Sequence, residues 1–221
     1  MNRILIIGES CKDVFHYGSC HRLCPEAPVP VFKSLNSIEN GGMAMNVYNN
    51  LISLQSNVSI NTNKNWKSIT KTRFVEKKCN HMFMRLDEND DDYGKFNIED
   101  VEFSNYEAVI VSDYNKGFLS ESDLEQISIR HPLTFLDTKK IFGSWCNNFS
   151  FIKINNIEYE NNKNYITPII KEKLIVTSGP RGCLYKNEYY PVPFVDVKDT
   201  SGAGDTFIAG LCHKYCSSKD I

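Results

Sequence analysis

Residues 199–207, Asp-Thr-Ser-Gly-Ala-Gly-Asp-Thr-Phe, bring paired glycines, a helix start and a carboxylate together. Gly202 and Gly204 have access to backbone angles that other residues avoid, so successive N–H groups can converge on one anion. Phe207, Ile208, Leu211, Cys212 and Tyr215 follow at helical spacing. That spacing sets the turn at the positive end of a helix, where phosphate binds. Asp205 falls in the first helical turn, where a negative side chain is favoured and its pKa is expected to stay low enough for ionisation at neutral pH. A carboxylate beside a phosphate cradle can accept the proton of an attacking hydroxyl, so the chemistry expected is phosphoryl transfer. The same residues also describe a glycine turn capping an ordinary helix, with Asp205 a solvated charge. Two other phosphate motifs are excluded: no G-x-x-x-x-G-K-[ST] occurs, and Phe207 stands where a dinucleotide fingerprint needs its third glycine.

The elements that must position this turn read as a layered α/β sheet. Apolar runs at 4–7, 108–111, 133–136, 149–152 and 174–176 alternate with amphipathic stretches at 43–54, 121–129 and 141–145, and a final helix begins near Ala203. Ligands of such sheets sit at the carboxyl ends of the strands. Polar clusters follow several of these runs: Glu9, Ser10 and Asp13; Ser112-Asp113-Tyr114; Asp137-Thr138-Lys139; Lys153-Ile154-Asn155; and Thr177-Ser178-Gly179. Two stretches, about 14–35 and 72–86, look instead like extended ribbons, the second a hairpin around Cys79-Asn80, and are read as a small β lid over the cleft. Asparagine-rich stretches at 61–65 and 155–164 read as loops.

Composition narrows the partners. The chain has 221 residues, 25 basic and 27 acidic side chains and a formal charge of −2. That balance argues against nucleic acid or an anionic membrane as the main ligand. The length fits one domain over 1–221. No apolar run approaches bilayer-spanning length, and the run at 4–7 is too short for a signal segment, so a cytoplasmic protein is expected. The 8 cysteines are expected as free thiols. Cys20-His21 with Cys24, and Cys212-His213 with Cys216, offer soft ligands but no C-x-x-C pair, and Cys212 and Cys216 share an apolar helix face.

Taken with Gly41-Gly42-Met43-Ala44-Met45-Asn46 and Asn155-Asn156-Ile157-Glu158, the turn at 199–207 resembles the ribokinase-like, or phosphofructokinase-B, carbohydrate kinases. The segments at 22–31, 84–87 and 112–117 are similar to the kinase module of ADP-heptose biosynthesis, a route to lipopolysaccharide precursors. The resemblance implies a layered αβα fold with a mostly parallel central sheet and a β lid. Asp205 is then the catalytic base, and Gly202, Ala203 and Gly204 the anion hole. Asn155, Glu158, Thr177, Gly179 and Gly182, with Arg181 nearby, form the nucleotide side for ATP, Glu158 acting on Mg2+ through water. Asp13, Gly41, Gly42, Asn46 and Asp113 belong to the sugar side. Arg85, Lys116 and Lys139 are candidates for the phosphate of a heptose 7-phosphate, Arg85 first because its fork suits phosphate oxygens. Arg85 could equally pair with Asp87 or Glu88, and Arg22 could reach in from the lid.

An apolar ribbon projecting from the core leaves an edge that needs cover, so a homodimer through the lid is expected, and the resemblance implies a separate nucleotidyltransferase acting downstream. The chain departs from the pattern at Glu9, where aspartate is usual, between Ser56 and Lys71, where a strand–helix unit is absent, and after the helix near Ala203, where the family continues with helices enclosing adenine. Those departures leave other expectations open: another sugar kinase of this family, or a catalytically weak sugar- or nucleotide-binding regulatory protein.

Overall fold

The structure is a computed structural model that describes residues 3–194 and 200–219. Asp199, the first residue of the glycine motif, lies outside the described residues. Strand β1 (Arg3–Gly8) is buried at every residue after Arg3, the continuous apolar run of a strand covered on both faces. Ribbon strands β2 (Ser10–Leu23) and β3 (Pro30–Met43), helix α1 (Ala44–Ser53) and strand β4 (Asn57–Asn61) follow, then a second ribbon pair, β5 (Thr70–Glu76) and β6 (Met82–Glu88). The chain continues through β7 (Ala108–Asp113), α2 (Glu121–Arg130), β8 (Thr134–Thr138), β9 (Phe151–Asn155), α3 (Asn156–Asn162), α4 (Pro168–Lys171) and β10 (Leu174–Thr177). Hairpin strands β11 (Cys183–Tyr185) and β12 (Glu188–Tyr190) precede helix α5 (Ala203–Ser218).

The main sheet has the order β12-β11-β10-β9-β8-β7-β1-β4. It is parallel from β4 to β10, with β11 and β12 added antiparallel at one edge. Alternation along β1 divides the core. Ile4 and Ile6 pack with Val47 and Leu51 of α1 and Ile208 and Cys212 of α5, whereas Leu5 and Ile7 pack with Leu124 and Ile127 of α2. Helices therefore cover both faces, giving the expected layered αβα architecture. Parallel register aligns the strand ends: Gly8 lies opposite Ser112, Asp113 opposite Thr138, Asp137 opposite Lys153, and Asn155 opposite Thr177.

The ribbons form a second sheet, ordered β3-β2-β5-β6. Its strands are longer than the expected segments and reach down to the body, where Ser10 pairs with Met43 directly after β1 and directly before α1. Other expectations differ in detail. The stretch 141–145 makes only a 3-10 turn at Ser144–Cys146, although Phe142 and Trp145 are buried; apolar spacing over so few residues reports burial rather than helix. The strand expected at 149–152 lies later, at Phe151–Asn155. The stretch 155–164 is not a loop. Asn155 accepts the N–H of Glu158 while Glu158 accepts that of Asn155, a reciprocal capping box that starts α3.

Candidate active site

Gly202 caps α5 in the left-handed conformation, with φ of 75°. A Cβ there would also come within 2.4 Å of Asn46 Nδ2 on α1, so both the backbone angle and the close approach require glycine. That approach lets Asn46 Nδ2 donate to Asp205 Oδ2 at 2.8 Å, while the Tyr114 hydroxyl donates to Oδ1 at 2.8 Å. Asp205 is only 4% exposed. Burial pushes its pKa above the ordinary aspartate value, opposed by the hydrogen bonds from Asn46 and Tyr114 and by the charges of Lys153 and Lys139. The helix start favours the ionised carboxylate, and burial works in the opposite direction. A raised pKa makes the carboxylate a stronger base. Burial and the charge of Asp205 push the Tyr114 hydroxyl up, which keeps it a donor.

The glycine turn faces a buried cation. A Cβ on Gly204 would lie 2.7 Å from Lys153 Nζ, and Lys153, on β9, pairs with Asp137 Oδ2 on β8 at 2.8 Å. Burial raises the Asp137 pKa, with Lys153 opposing. The Ala203 N–H is directed at the Thr200 carbonyl, 3.2 Å away, so this donor of the expected anion hole is engaged within the turn. Sequence reasoning placed Lys153 and Asp137 at strand ends but did not count them as site residues. The available signal is a lysine inside the apolar run Phe151-Ile152-Lys153-Ile154, a position where an unpaired charge is not tolerated.

A small cavity of about 160 Å³ is lined by Asp205, Gly204, Lys153, Asp137, Glu158 and Asn155 among others. A larger one, about 580 Å³, extends under the lid past Asp13, Lys71, Arg73, Arg85 and Lys116. Asp205, Gly202, Tyr114 and Lys139 line both, so the carboxylate stands at their junction. On the lid side Asp13 pairs with Arg73, and a Cβ on Gly42 would sit 2.7 Å from Asp13 Oδ2. Gly41 abuts Met45 instead. Arg85 forks onto Asp87 at 2.7 and 2.8 Å, the alternative pairing left open by the sequence, while still lining the larger cavity. Arg22 is exposed and is not among the residues lining either cavity.

Lys116 Nζ lies 2.5 Å from Asp90 Oδ2. Lys139 Nζ donates to Glu158 Oε1 at 3.1 Å and sits 4.9 Å from the centroid of the Tyr114 ring, which puts it at the junction rather than at the far end of the larger cavity. Asp113 differs from expectation. Its carboxylate, 1% exposed, accepts from Lys140 at 2.9 Å, the Thr138 hydroxyl at 2.5 Å and the Asn115 N–H at 3.1 Å, and it lines only the small cavity. These bonds make it an anchor of the loop after β7 rather than a sugar contact. Buried Glu9 holds the same loop by accepting the N–H groups of Tyr114 at 2.8 Å and Lys116 at 3.0 Å. Burial, then the charge of Asp113, raises the pKa of Glu9.

Thr177, Gly179 and Gly182 surround the turn after β10, outside both cavities but beside the start of α3, where Ser178 Oγ donates to Asn156 Oδ1 at 2.9 Å. Gly182 has φ of 96°, and a Cβ on it would lie 2.0 Å from the Tyr190 carbonyl oxygen. Asp137, Glu158 and Asp205 give the small cavity hard oxygen donors, the kind that suits Mg2+. Among the described residues no group of three or more His, Cys, Asp or Glu is arranged to hold an ion by itself.

Residues 154–221 match the family described as pfkB family carbohydrate kinase. The whole chain is 30% identical to the bifunctional protein HldE of Helicobacter pylori (strain HPAG1), the alignment covering 100% of this chain and 60% of that protein. It is 26% identical to the bifunctional protein HldE of Sulfurimonas denitrificans, with coverages of 99% and 57%. The chain therefore spans about 60% of the length of the curated relatives it matches. Among solved structures, the ribokinase of Arabidopsis thaliana complexed with ribose and ATP superposes with a TM-score of 0.71 at 11% identity, covering 99% of this chain and 87% of that one. The nucleoside kinase of Methanocaldococcus jannaschii gives 0.69 at 16% identity, covering 100% and 86%. Both likenesses establish a ribokinase-like fold. Among the described residues no helix is long and apolar enough to cross a membrane.

Proposed function

The chain belongs to the pfkB family of carbohydrate kinases, and from that premise we propose that it transfers the γ-phosphoryl group of ATP to the anomeric hydroxyl of a heptose 7-phosphate, giving the 1,7-bisphosphate. The observation that carries this reading is the buried Asp205 at the junction of two cavities, one lined by Lys153 and Gly204, the other by several cationic side chains of the lid. In the reaction, Asp205 accepts the hydroxyl proton as the sugar oxygen bonds to phosphorus and the bond to the ADP oxygen breaks. Lys153 and the N–H groups of Gly202 and Gly204 hold the charge on the transferred group, so catalysis is positioning and electrostatics. Asp13 and Asn46 hold the sugar hydroxyls beside Gly42, and Arg85 reaches its phosphate from the lid. The turn of Thr177, Gly179 and Gly182, with Asn155, takes the nucleotide. Glu158 would hold Mg2+ through water, and the ion would supply charge neutralisation for the nucleotide phosphates.

We read residues 1–221 as one kinase domain with the ribbons as its lid, acting in the cytoplasm. The exposed apolar side chains of the lid, Leu35, Met82, Met84 and Leu86, support burial against the lid of a second copy, which light scattering measures directly. The product, a sugar 1-phosphate, suits a nucleotidyltransferase as the next step. The test is ADP release with heptose 7-phosphate against unphosphorylated heptose, ribose, plain hexoses and nucleosides. Preference for the phosphorylated sugar is expected. Preferential turnover of ribose or a nucleoside sinks the heptose reading and leaves the kinase, and no ADP release with any acceptor sinks both.

A further inference from the structure

Lys71 and Lys116 come from different parts of the chain, β5 and the loop after β7, yet converge on one carboxylate. Lys71 Nζ lies 3.2 Å from Asp90 Oδ1, and Lys116 Nζ lies 2.5 Å from Asp90 Oδ2. The Tyr93 hydroxyl donates to the same Oδ1 at 2.5 Å. Both lysines line the larger cavity, and Asp90 does not. Lys71 is 6% exposed, and its other polar neighbour is Met43 Sδ at 3.8 Å. A buried lysine in a strand needs an anion, and here the anion is an internal carboxylate outside the cavity lining. Burial works against ionisation of Asp90, but hydrogen bonds from Lys116 and Tyr93 and the charge of Lys71 prevail and hold its pKa at about 2. The carboxylate is therefore a permanent anion between two cations that face a substrate space.

By contrast, the other cations of the cavity have separate counter-ions: Arg73 has Asp13, Arg85 has Asp87 and Lys139 has Glu158. Only Lys71 and Lys116, among the described cations lining this cavity, share one carboxylate. Two ammonium groups on one carboxylate carry an excess of positive charge, which a phosphomonoester dianion neutralises and a neutral sugar hydroxyl does not.

We propose that Lys71 and Lys116 seat the nonreacting phosphate of the sugar substrate, with Asp90 filling their place as an internal anion whenever that phosphate is absent. The proposal deepens the heptose 7-phosphate reading and rests on it. Lys71 becomes a specificity-determining residue that the sequence reading missed, and Arg85 reaches the same phosphate from the lid.

The test pairs Lys71→Met and Asp90→Asn in the full chain, with calorimetry of heptose 7-phosphate and of inorganic phosphate without ATP, alongside KM and kcat. Lys71→Met removes one charge-assisted bond and is expected to weaken heptose 7-phosphate binding by about ten- to a hundredfold. The kcat/KM for unphosphorylated heptose should fall less than that for heptose 7-phosphate. Lys116→Met should act in the same direction, which keeps the test valid if Lys71→Met does not fold. Asp90→Asn removes the internal competitor and is expected to tighten inorganic phosphate. A lysine variant that loses the phosphorylated and plain sugars equally, or an Asp90→Asn protein that binds phosphate more weakly, overturns the proposal. If the wild type binds heptose 7-phosphate in a Lys71-dependent way but never phosphorylates it, the kinase reading fails and the phosphate seat stands. If it phosphorylates the sugar with a KM insensitive to Lys71 and Lys116, the reverse holds. Absence of any binding or turnover overturns both.

Discussion

Lys153–Asp137 in the main sheet and Arg85–Asp87 in the lid are ion pairs of nearly equal length, 2.8 and 2.7 Å, in opposite surroundings. The side chains of the first are 6% and 13% exposed, those of the second 40% and 34%. Removing the first pair from water carries a large desolvation cost that only the partner offsets, so either residue alone would be strongly unfavourable. The lid pair stays hydrated and is worth about 0–1 kcal/mol. The consequence is a division of labour. The enclosed pair is fixed in place before any ligand arrives, as stabilisation of a charged transition state requires, whereas the lid pair can exchange its carboxylate for a ligand anion at little cost.

The largest effect is expected where the two regions meet. Asp205→Asn should lower turnover by roughly a hundred- to ten-thousandfold, the usual contribution of a general base, with an unchanged circular dichroism spectrum. Equal turnover in the folded variant would falsify the role. Burial of the same carboxylate also predicts a stability effect. Its folded pKa lies above the unfolded value of about 3.9, so its contribution is fully present below that value and is lost as pH rises through the folded pKa. The Tm of Asp205→Asn relative to wild type should therefore increase from about pH 4 up to the folded pKa and then level off. A relative Tm that falls over this range would mean that Asn46, Tyr114 and the lysines outweigh burial.

Next in size is a direct test of the comparison between enclosed and open pairs. Lys153→Met leaves Asp137 buried without its partner and should cost about 3–5 kcal/mol in denaturant unfolding. Arg85→Met, in the same assay, should cost less than about 1 kcal/mol. Similar losses for both would show that water reaches the small cavity and that the contrast in exposure carries no energetic difference.

The enclosed half of the site was only partly legible in the sequence for the same physical reason. Asp205, Gly202 and Asn46 lie in local patterns whose chemistry is visible within a few residues. The partners of Lys153 and Lys71 are set by strand register and by the loop around Asp90, which local spacing does not encode. The apolar runs announced β1, β7 and β10 because strands buried on both faces are apolar throughout. Residues 141–145 misled because Phe142 and Trp145 fill the core from a turn, and 155–164 misled because asparagine serves as a helix cap as readily as a loop residue. Asn155 and Glu158 form a local capping box, so their spacing alone does not distinguish a helix start from a nucleotide site.

The smallest expected effects sharpen the same contrast at backbone level. Gly179 and Gly202 both have left-handed φ, 56° and 75°, so alanine at either position carries a conformational cost of about 1–2 kcal/mol. Their surroundings differ. A Cβ on Gly179 meets nothing within 4 Å, whereas one on Gly202 would lie 2.4 Å from the Asn46 amide that holds Asp205. Gly179→Ala should therefore lose only that backbone cost and keep its kcat, with any change confined to the KM for ATP. Gly202→Ala must displace Asn46 as well, releasing one of the hydrogen bonds to the carboxylate, and should lower kcat in addition to the melting temperature. Measuring kcat and Tm together separates the two outcomes. A kcat equally insensitive to both substitutions would show that Asp205 keeps its geometry without Asn46, and that Tyr114 alone is enough to orient it.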